Sequence, residues 1–78
     1  MDERRRLINC FQTVFPDLAE ASIPTATQAT VPAWDSIAAI TLVNVIEEEF
    51  HFPIDFDILG ELDSFPAILK YIGQQKVS

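Results

Sequence analysis

Basic residues are scarce in this chain. Five lysines and arginines stand against twelve acids, giving a formal net charge of −7. A field of that sign repels nucleic acid, whose binding depends on phosphate neutralisation, so no nucleic-acid partner is expected. It suits basic protein surfaces, which it can steer into contact. Arg4, Arg5 and Arg6 form the one basic cluster and read as the solvated start of a helix. Cysteine is almost absent. Cys10 stands alone, which excludes an internal disulfide and leaves the cytoplasm as the default compartment. The single histidine, His51, has no cysteine or histidine companion for a metal site. No apolar run approaches the ~18 residues of a membrane helix, so no membrane insertion is expected. The basic start MDERRR lacks the apolar stretch that a secretory signal carries behind it. Strand-like alternation is scarce, and neither an internal repeat nor a linker divides the chain.

What is present is a composition of 49% hydrophobic and 22% charged residues over 78 positions. That is a single compact domain, residues 1–78, of a size that folds without staples, since domains of ~60 residues already do so. A monomer is expected. Leu7, Ile8, Phe11, Val14, Phe15 and Leu18 recur at helical spacing, so an amphipathic first helix starts near Glu3. Asp2 and Glu3 suit its positive end, and Pro16 stops it near Phe15. From Pro16 to Ala33 no long period is evident. Pro24 and Pro32 bracket TATQAT, which has little to nucleate regular structure. Ile23, Val31 and Trp34 are the apolar pegs expected to hold this long loop to the core.

The strongest pattern follows. Ile37, Ile40, Val43, Ile46 and Phe50 mark one face of a second helix, widened by Leu42 and Val45. Glu47, Glu48 and Glu49 crowd its last turn, where acids oppose the helix dipole, and Pro53 forces an exit. Asp55 and Asp57 are positioned to cap a short third helix around Ile58 to Leu62. A last helix carries Phe65, Ile68, Leu69 and Ile72, with Ser64 as cap and Pro66 in its first turn. The fold class is therefore all-α: three longer helices, one short third helix, and a long loop between the first and second.

Two Asp-Ser pairs head helices in this reading, Asp35-Ser36 and Asp63-Ser64. Ser64 precedes a short helix and reads as a plain cap. Ser36 precedes about four turns of well-patterned helix, and on spacing alone it serves equally as a cap or as a modified serine.

The whole segment WDSIAAITLVNVIEEEF, residues 34–50, resembles the acyl carrier protein family, including the peptidyl carrier domains of assembly-line synthetases. That family opens its long second helix with Asp-Ser-Leu or Asp-Ser-Ile and often closes it with Glu-Glu-Glu-Phe. The likeness extends in outline over the full chain and implies a four-helix bundle of acyl-carrier type. It implies that Ser36 bears a covalent 4′-phosphopantetheine from coenzyme A, whose thiol holds intermediates as thioesters in fatty-acid-like, polyketide or nonribosomal-peptide-type biosynthesis. Asp35 then matches the acidic neighbour associated with divalent metal in the transferase complex. Ile37 matches the apolar position used in packing and partner contact. Trp34, Glu47 and Glu48 join them as candidates for partner recognition. The implied partners are a phosphopantetheinyl transferase, an acyl- or aminoacyl-loading enzyme and a condensing or acyl-transfer enzyme. The chain itself would be no enzyme but a substrate of enzymes. A helix N-terminus offers unpaired N–H donors to the phosphodiester. His51 lies ~22 Å along the helix from Ser36, so the base that activates the serine must come from a partner.

Two departures from the family matter. Early helix positions that are often acidic are here Ala38, Ala39 and Thr41, so docking near Ser36 should rely on apolar contact more than on charge, in a dedicated pathway. His51 stands where many members have glycine or a small polar residue. The rival reading is a noncatalytic helical interaction module with an unmodified serine, supported by that neutral patch. DFDILGELD, residues 55–63, imitates a calcium loop, but Leu59 and Pro66 occupy ligand places, so no dedicated calcium site is expected.

Overall fold

In the computed structural model, which describes residues 3–76, three α-helices and two 3-10 helices pack around one core. Helix α1 spans Glu3–Val14, α2 Ser36–Phe50 and α3 Phe65–Lys76; the 3-10 helices span Glu20–Thr25 and Phe56–Glu61. The all-α expectation holds, and the short third helix forms where expected, with 3-10 geometry. Asp2, assigned above to the start of α1, lies outside the described residues, as does the side chain of Phe56.

Helix α1 buries Leu7, Ile8, Cys10 and Phe11, the stripe that its 3.6-residue period places on one face. Phe15 continues the stripe one residue past the helix, its N–H still donating to the Phe11 carbonyl at 2.7 Å. Pro16 then ends the ladder because it has no N–H to give. Phe11 is the hub of the core. Its ring centroid lies 6.0 Å from Phe15, 5.3 Å from Trp34 and 5.4 Å from Phe65, so one side chain joins α1, the approach to α2 and the start of α3.

The connection from α1 to α2 is more ordered than its composition suggested. Six residues around Pro24 coil into a 3-10 helix that buries Ile23. Arg5 donates to Glu20 at 2.7 Å and holds that carboxyl below the usual range, tying the coil to α1. Within TATQAT, Thr27 and Thr30 bond each other through hydroxyl and backbone groups. An antiparallel bridge pairs Thr27 with Ser64: the Gln28 N–H donates to the Asp63 carbonyl at 2.7 Å, and the Phe65 N–H to the Ala26 carbonyl at 2.9 Å. Local hydroxyl bonds and one tertiary bridge, rather than periodicity, give this segment its shape. Ile23, Val31 and Trp34 are buried as expected.

Helix α2 turns Val43, Ile46 and Phe50 of its expected face, with the flanking Leu42 and Val45, towards the core, but not Ile37 and Ile40. Its buried residues are Leu42, Val43 and Ile46, whereas Ile37 is 76% exposed and Ile40 43% exposed. At about 100° per residue, the inward stripe runs through Ala39, Leu42, Val43, Ile46 and Phe50, and Ile37 falls on the opposite side. The half-buried Ala38 and Ala39 pack against the core, so small side chains line the inner surface where the isoleucine row was expected.

The far end of α2 is fastened by Arg6. Its Nε donates to Glu49 Oε2 at 2.8 Å, its guanidinium also bonds the Glu49 carbonyl, and it lies 4.5 Å over the Phe50 ring. Arg6 thus offsets the acids at that terminus and is no solvated bystander. Glu47 accepts the Ile54 N–H at 2.6 Å, which secures the turn that follows. His51 caps the helix in the left-handed region, φ 61 and ψ 41. That conformation costs an L-residue about 1–2 kcal/mol, while glycine loses about 0.5–1 kcal/mol of chain entropy on folding. His51→Gly is therefore expected to stabilise the fold by about 0.5 kcal/mol, raising the thermal midpoint by a few degrees in calorimetry. A lowered midpoint would contradict it.

Helix α3 follows its sequence pattern. Ser64 Oγ accepts the Ala67 N–H at 3.2 Å, and Phe65, Ile68 and Ile72 are buried, with Leu69 packed at the margin.

Candidate functional site

The segment Trp34-Asp35-Ser36 is held from behind. Trp34 is buried to 2% exposure against Phe11 and Phe15, and its backbone N–H donates to the Val31 carbonyl at 3.0 Å. That anchor fixes where the chain turns into α2. Asp35, in extended conformation, is the N-cap: its Oδ1 accepts the Ala38 N–H at 2.8 Å and its carbonyl the Ala39 N–H at 2.9 Å. Ser36 is therefore not the cap but the first helical residue. It is exposed, and its hydroxyl has no hydrogen-bond partner among the described residues. Among the described residues the N–H groups of Ser36 and Ile37 also lack backbone acceptors, the normal state of a first helical turn.

The candidate recognition residues separate into three groups. Ile37 stands outward beside Ser36, and Ile40, Thr41 and Asn44 extend that exposed strip along α2. Glu48 is exposed at the end of it. Glu47 is half-buried with its carboxylate committed to the Ile54 N–H, so it closes a turn within the chain. Trp34 lies in the core and reaches the surface only through the backbone that it positions. Its indole Nε1 is buried and has no hydrogen-bond partner among the described residues. The neutral patch also changes composition: Ala38 and Ala39 face inward, and Ile37, Ile40, Thr41 and Asn44 form it.

Sequence reasoning missed Arg6 as the clamp on α2. The signal available was a lone basic cluster and an acid-rich helix end, with nothing to join them. Asp55, one of the acids of the calcium-like stretch, accepts the Asp57 N–H at 3.0 Å and so serves as a cap. Ser36 lies in no cluster of metal-ligating side chains among the described residues.

No family model, curated protein or solved structure matches this chain. The site is therefore read from its own geometry. Among the described residues no helix is long and apolar enough to cross a membrane.

Cys10 is the chain's only thiol and a natural rival for carrying a thioester. It is buried, and burial, reinforced by the Glu49 charge and partly offset by Arg6, pushes its pKa up to about 11. At pH 8 a shift from 9.0 to about 11 leaves roughly 100-fold less thiolate. Alkylation of Cys10 by iodoacetamide is expected to be slower by about that factor in the folded chain than in denaturant. Equal rates would show the thiol to be accessible. The folded state holds this proton more tightly than the unfolded one. Its contribution to stability is therefore intact below pH 9 and is lost as pH climbs towards 11.

Proposed function

We propose that this chain is an acyl or aminoacyl carrier protein that holds thioester-bound intermediates on a 4′-phosphopantetheine arm at Ser36. One observation carries the reading: an exposed serine, its hydroxyl without a hydrogen-bond partner among the described residues, opens a long helix whose capping is done by a different residue. A serine needed only as a cap would spend its oxygen on the helix, as Ser64 does. The order of elements supports an acyl-carrier-type bundle, with a long connection before α2 and a short helix before α3.

The chemistry fits the surroundings. In arm attachment Ser36 Oγ attacks the pyrophosphate of coenzyme A at the phosphorus bearing pantetheine. A phosphoester forms, adenosine 3′,5′-bisphosphate leaves, and the serine proton passes to a base. Among the described residues no uncommitted base is placed for that role, since His51 caps the opposite end of α2 and the Asp35 carboxylate is engaged with the Ala38 N–H, so the transferase supplies it. The resulting phosphodiester stands beside the unpaired N–H groups of Ser36 and Ile37. Asp35 sits next to the reacting oxygen, where its carboxylate can share a divalent cation brought by the transferase complex. The thiol at the end of the arm, rather than Cys10, carries cargo, and loading and condensing enzymes act on it.

The reading is tested by intact mass after incubation with coenzyme A, magnesium and a broad-specificity phosphopantetheinyl transferase. A gain of one phosphopantetheine is expected, and no gain would overturn it. The second reading, a noncatalytic interaction module with an unmodified serine, is favoured by the exposure of Ile37 and Ile40. It predicts no mass gain and stoichiometric complex formation with a partner.

A further inference from the structure

We propose that residues 26–34 form a strap that opens as one unit while the three α-helices stay packed, and that the unpaired indole N–H of Trp34 keeps it close to opening. The inference does not require Ser36 to be modified. The strap is built to move as a piece, because its own hydrogen bonds are local. The Thr27 and Thr30 hydroxyls bond each other, the Val31 N–H donates to the Thr27 carbonyl at 3.0 Å, and the Trp34 backbone N–H to the Val31 carbonyl at 3.0 Å. All of these survive detachment. Among the described residues, the hydrogen bonds that tie the strap to a distant element are those of the bridge at the start of α3, where the Gln28 N–H donates to the Asp63 carbonyl and the Phe65 N–H to the Ala26 carbonyl. The bridge is isolated, so no neighbouring pair reinforces it. The rest of the hold is apolar, from the buried Ala26, Val31 and Trp34. Segments tied so sparsely open at the low end of a protein's range of local stabilities.

Trp34 supplies both the hold and its weakness. Its ring lies 5.3 Å from that of Phe11 and 5.9 Å from that of Phe15, yet Nε1 is the one buried side-chain polar atom left without a hydrogen-bond partner among the described residues. The Phe11 ring, set at 84° to the indole, is at most a weak acceptor. In the open strap the same N–H bonds to water. The closed state therefore carries a desolvation penalty that the open state escapes. An orphaned donor in an otherwise paired interior is a store of strain.

Opening has a defined consequence at the head of α2. Trp34 directly precedes Asp35, so a strap that lifts withdraws the capping carboxylate from the Ala38 N–H and frees the first helical turn. Closed, the strap fixes Ser36 at the start of a capped helix. Open, it leaves the serine on a frayed turn. A partner that binds the closed form shifts this equilibrium by its differential affinity for the two forms and by no more.

Hydrogen exchange of the full chain, followed by NMR, tests the device. The Gln28 and Phe65 amides and the Trp34 indole N–H are expected to exchange through one shared opening, at least about tenfold more often than the Phe11 and Ile46 amides and with little response to low urea. Exchange of all these protons together with Phe11 and Ile46 overturns the proposal. So does an indole that stays protected while the bridge amides exchange, since the bridge would then fray alone. The role of the donor is read from Trp34→benzothienylalanine, introduced by chemical synthesis of the 78-residue chain, which keeps the ring shape and puts sulfur in place of the N–H. Opening at Gln28 and Phe65 is expected to become roughly tenfold rarer, the scale of one unpaired buried donor. Unchanged exchange there overturns the part assigned to the indole.

Discussion

Ser36→Ala is expected to abolish arm attachment completely while shifting stability by no more than ~0.5 kcal/mol, the usual range for a surface substitution that touches nothing. The two effects separate because the local labour is divided. Asp35 satisfies the Ala38 N–H, and the Ser36 hydroxyl satisfies no group among the described residues. Asp35→Ala should show the complementary pattern, losing about 0.5–2 kcal/mol through the uncapped helix and slowing attachment without removing its oxygen. Intact mass and urea denaturation of both variants read the contrast. If Ser36→Ala proved as destabilising as Asp35→Ala, the serine would be a structural residue and the proposed role would lose its main support. An adduct persisting on Ser36→Ala would place the arm elsewhere.

Phe11→Ala is the substitution expected to do most damage to the fold, about 3–5 kcal/mol by the usual cost of truncating a buried aromatic. At ~0.05–0.15 kcal/mol per residue, 78 residues give a total stability of about 4–12 kcal/mol. The variant should therefore be partly unfolded at 25 °C or melt far below the parent. The cost is large because Phe11 is fully buried and meets Phe15, Trp34 and Phe65 together, so no single neighbour can relax into the space. Urea titration by far-ultraviolet circular dichroism measures it. A loss below ~1 kcal/mol would show that the cavity collapses and that Phe11 is not the hub described. Because Trp34 rests on Phe11, the same variant should also blur the placement of Ser36 in whatever folded fraction survives.

Helices with one apolar stripe on a polar background could be placed from the sequence, α1 to within a residue at its exit and α3 at its start. Helix α1 and α3 are of this kind, and Ser64 with Pro66 marked the start of α3. Helix α2 was legible as a helix and in most of its inner face, but not at its start, where Ile37 and Ile40 turn outward. Ile, Val, Leu and Ala occur on every side of it, so periodicity alone cannot choose an inner face. The choice falls to packing, where Ala38 and Ala39 allow close approach and leave Ile37 and Ile40 outside. The approach loop was illegible for a different reason: its order depends on the Thr27–Thr30 hydroxyl pair and on a bridge to Ser64, a tertiary contact with no local signature. Arg6 escaped for the same cause, since its partner Glu49 lies on another helix. At the candidate site the Asp-Ser pair was visible, but which of the two residues caps and which is left free emerged only from geometry.

The bridge between Thr27 and Ser64 joins segments far apart in the chain. Closing that span sacrifices more disorder than winding any of the helices, so by topology it belongs with tertiary packing rather than with local helix formation. The apron leading to Ser36 would then consolidate only as the start of α3 docks, so the aim of the serine depends on a segment far downstream of it. A transferase that senses this apron would discriminate mature protein from its precursor without any dedicated checkpoint.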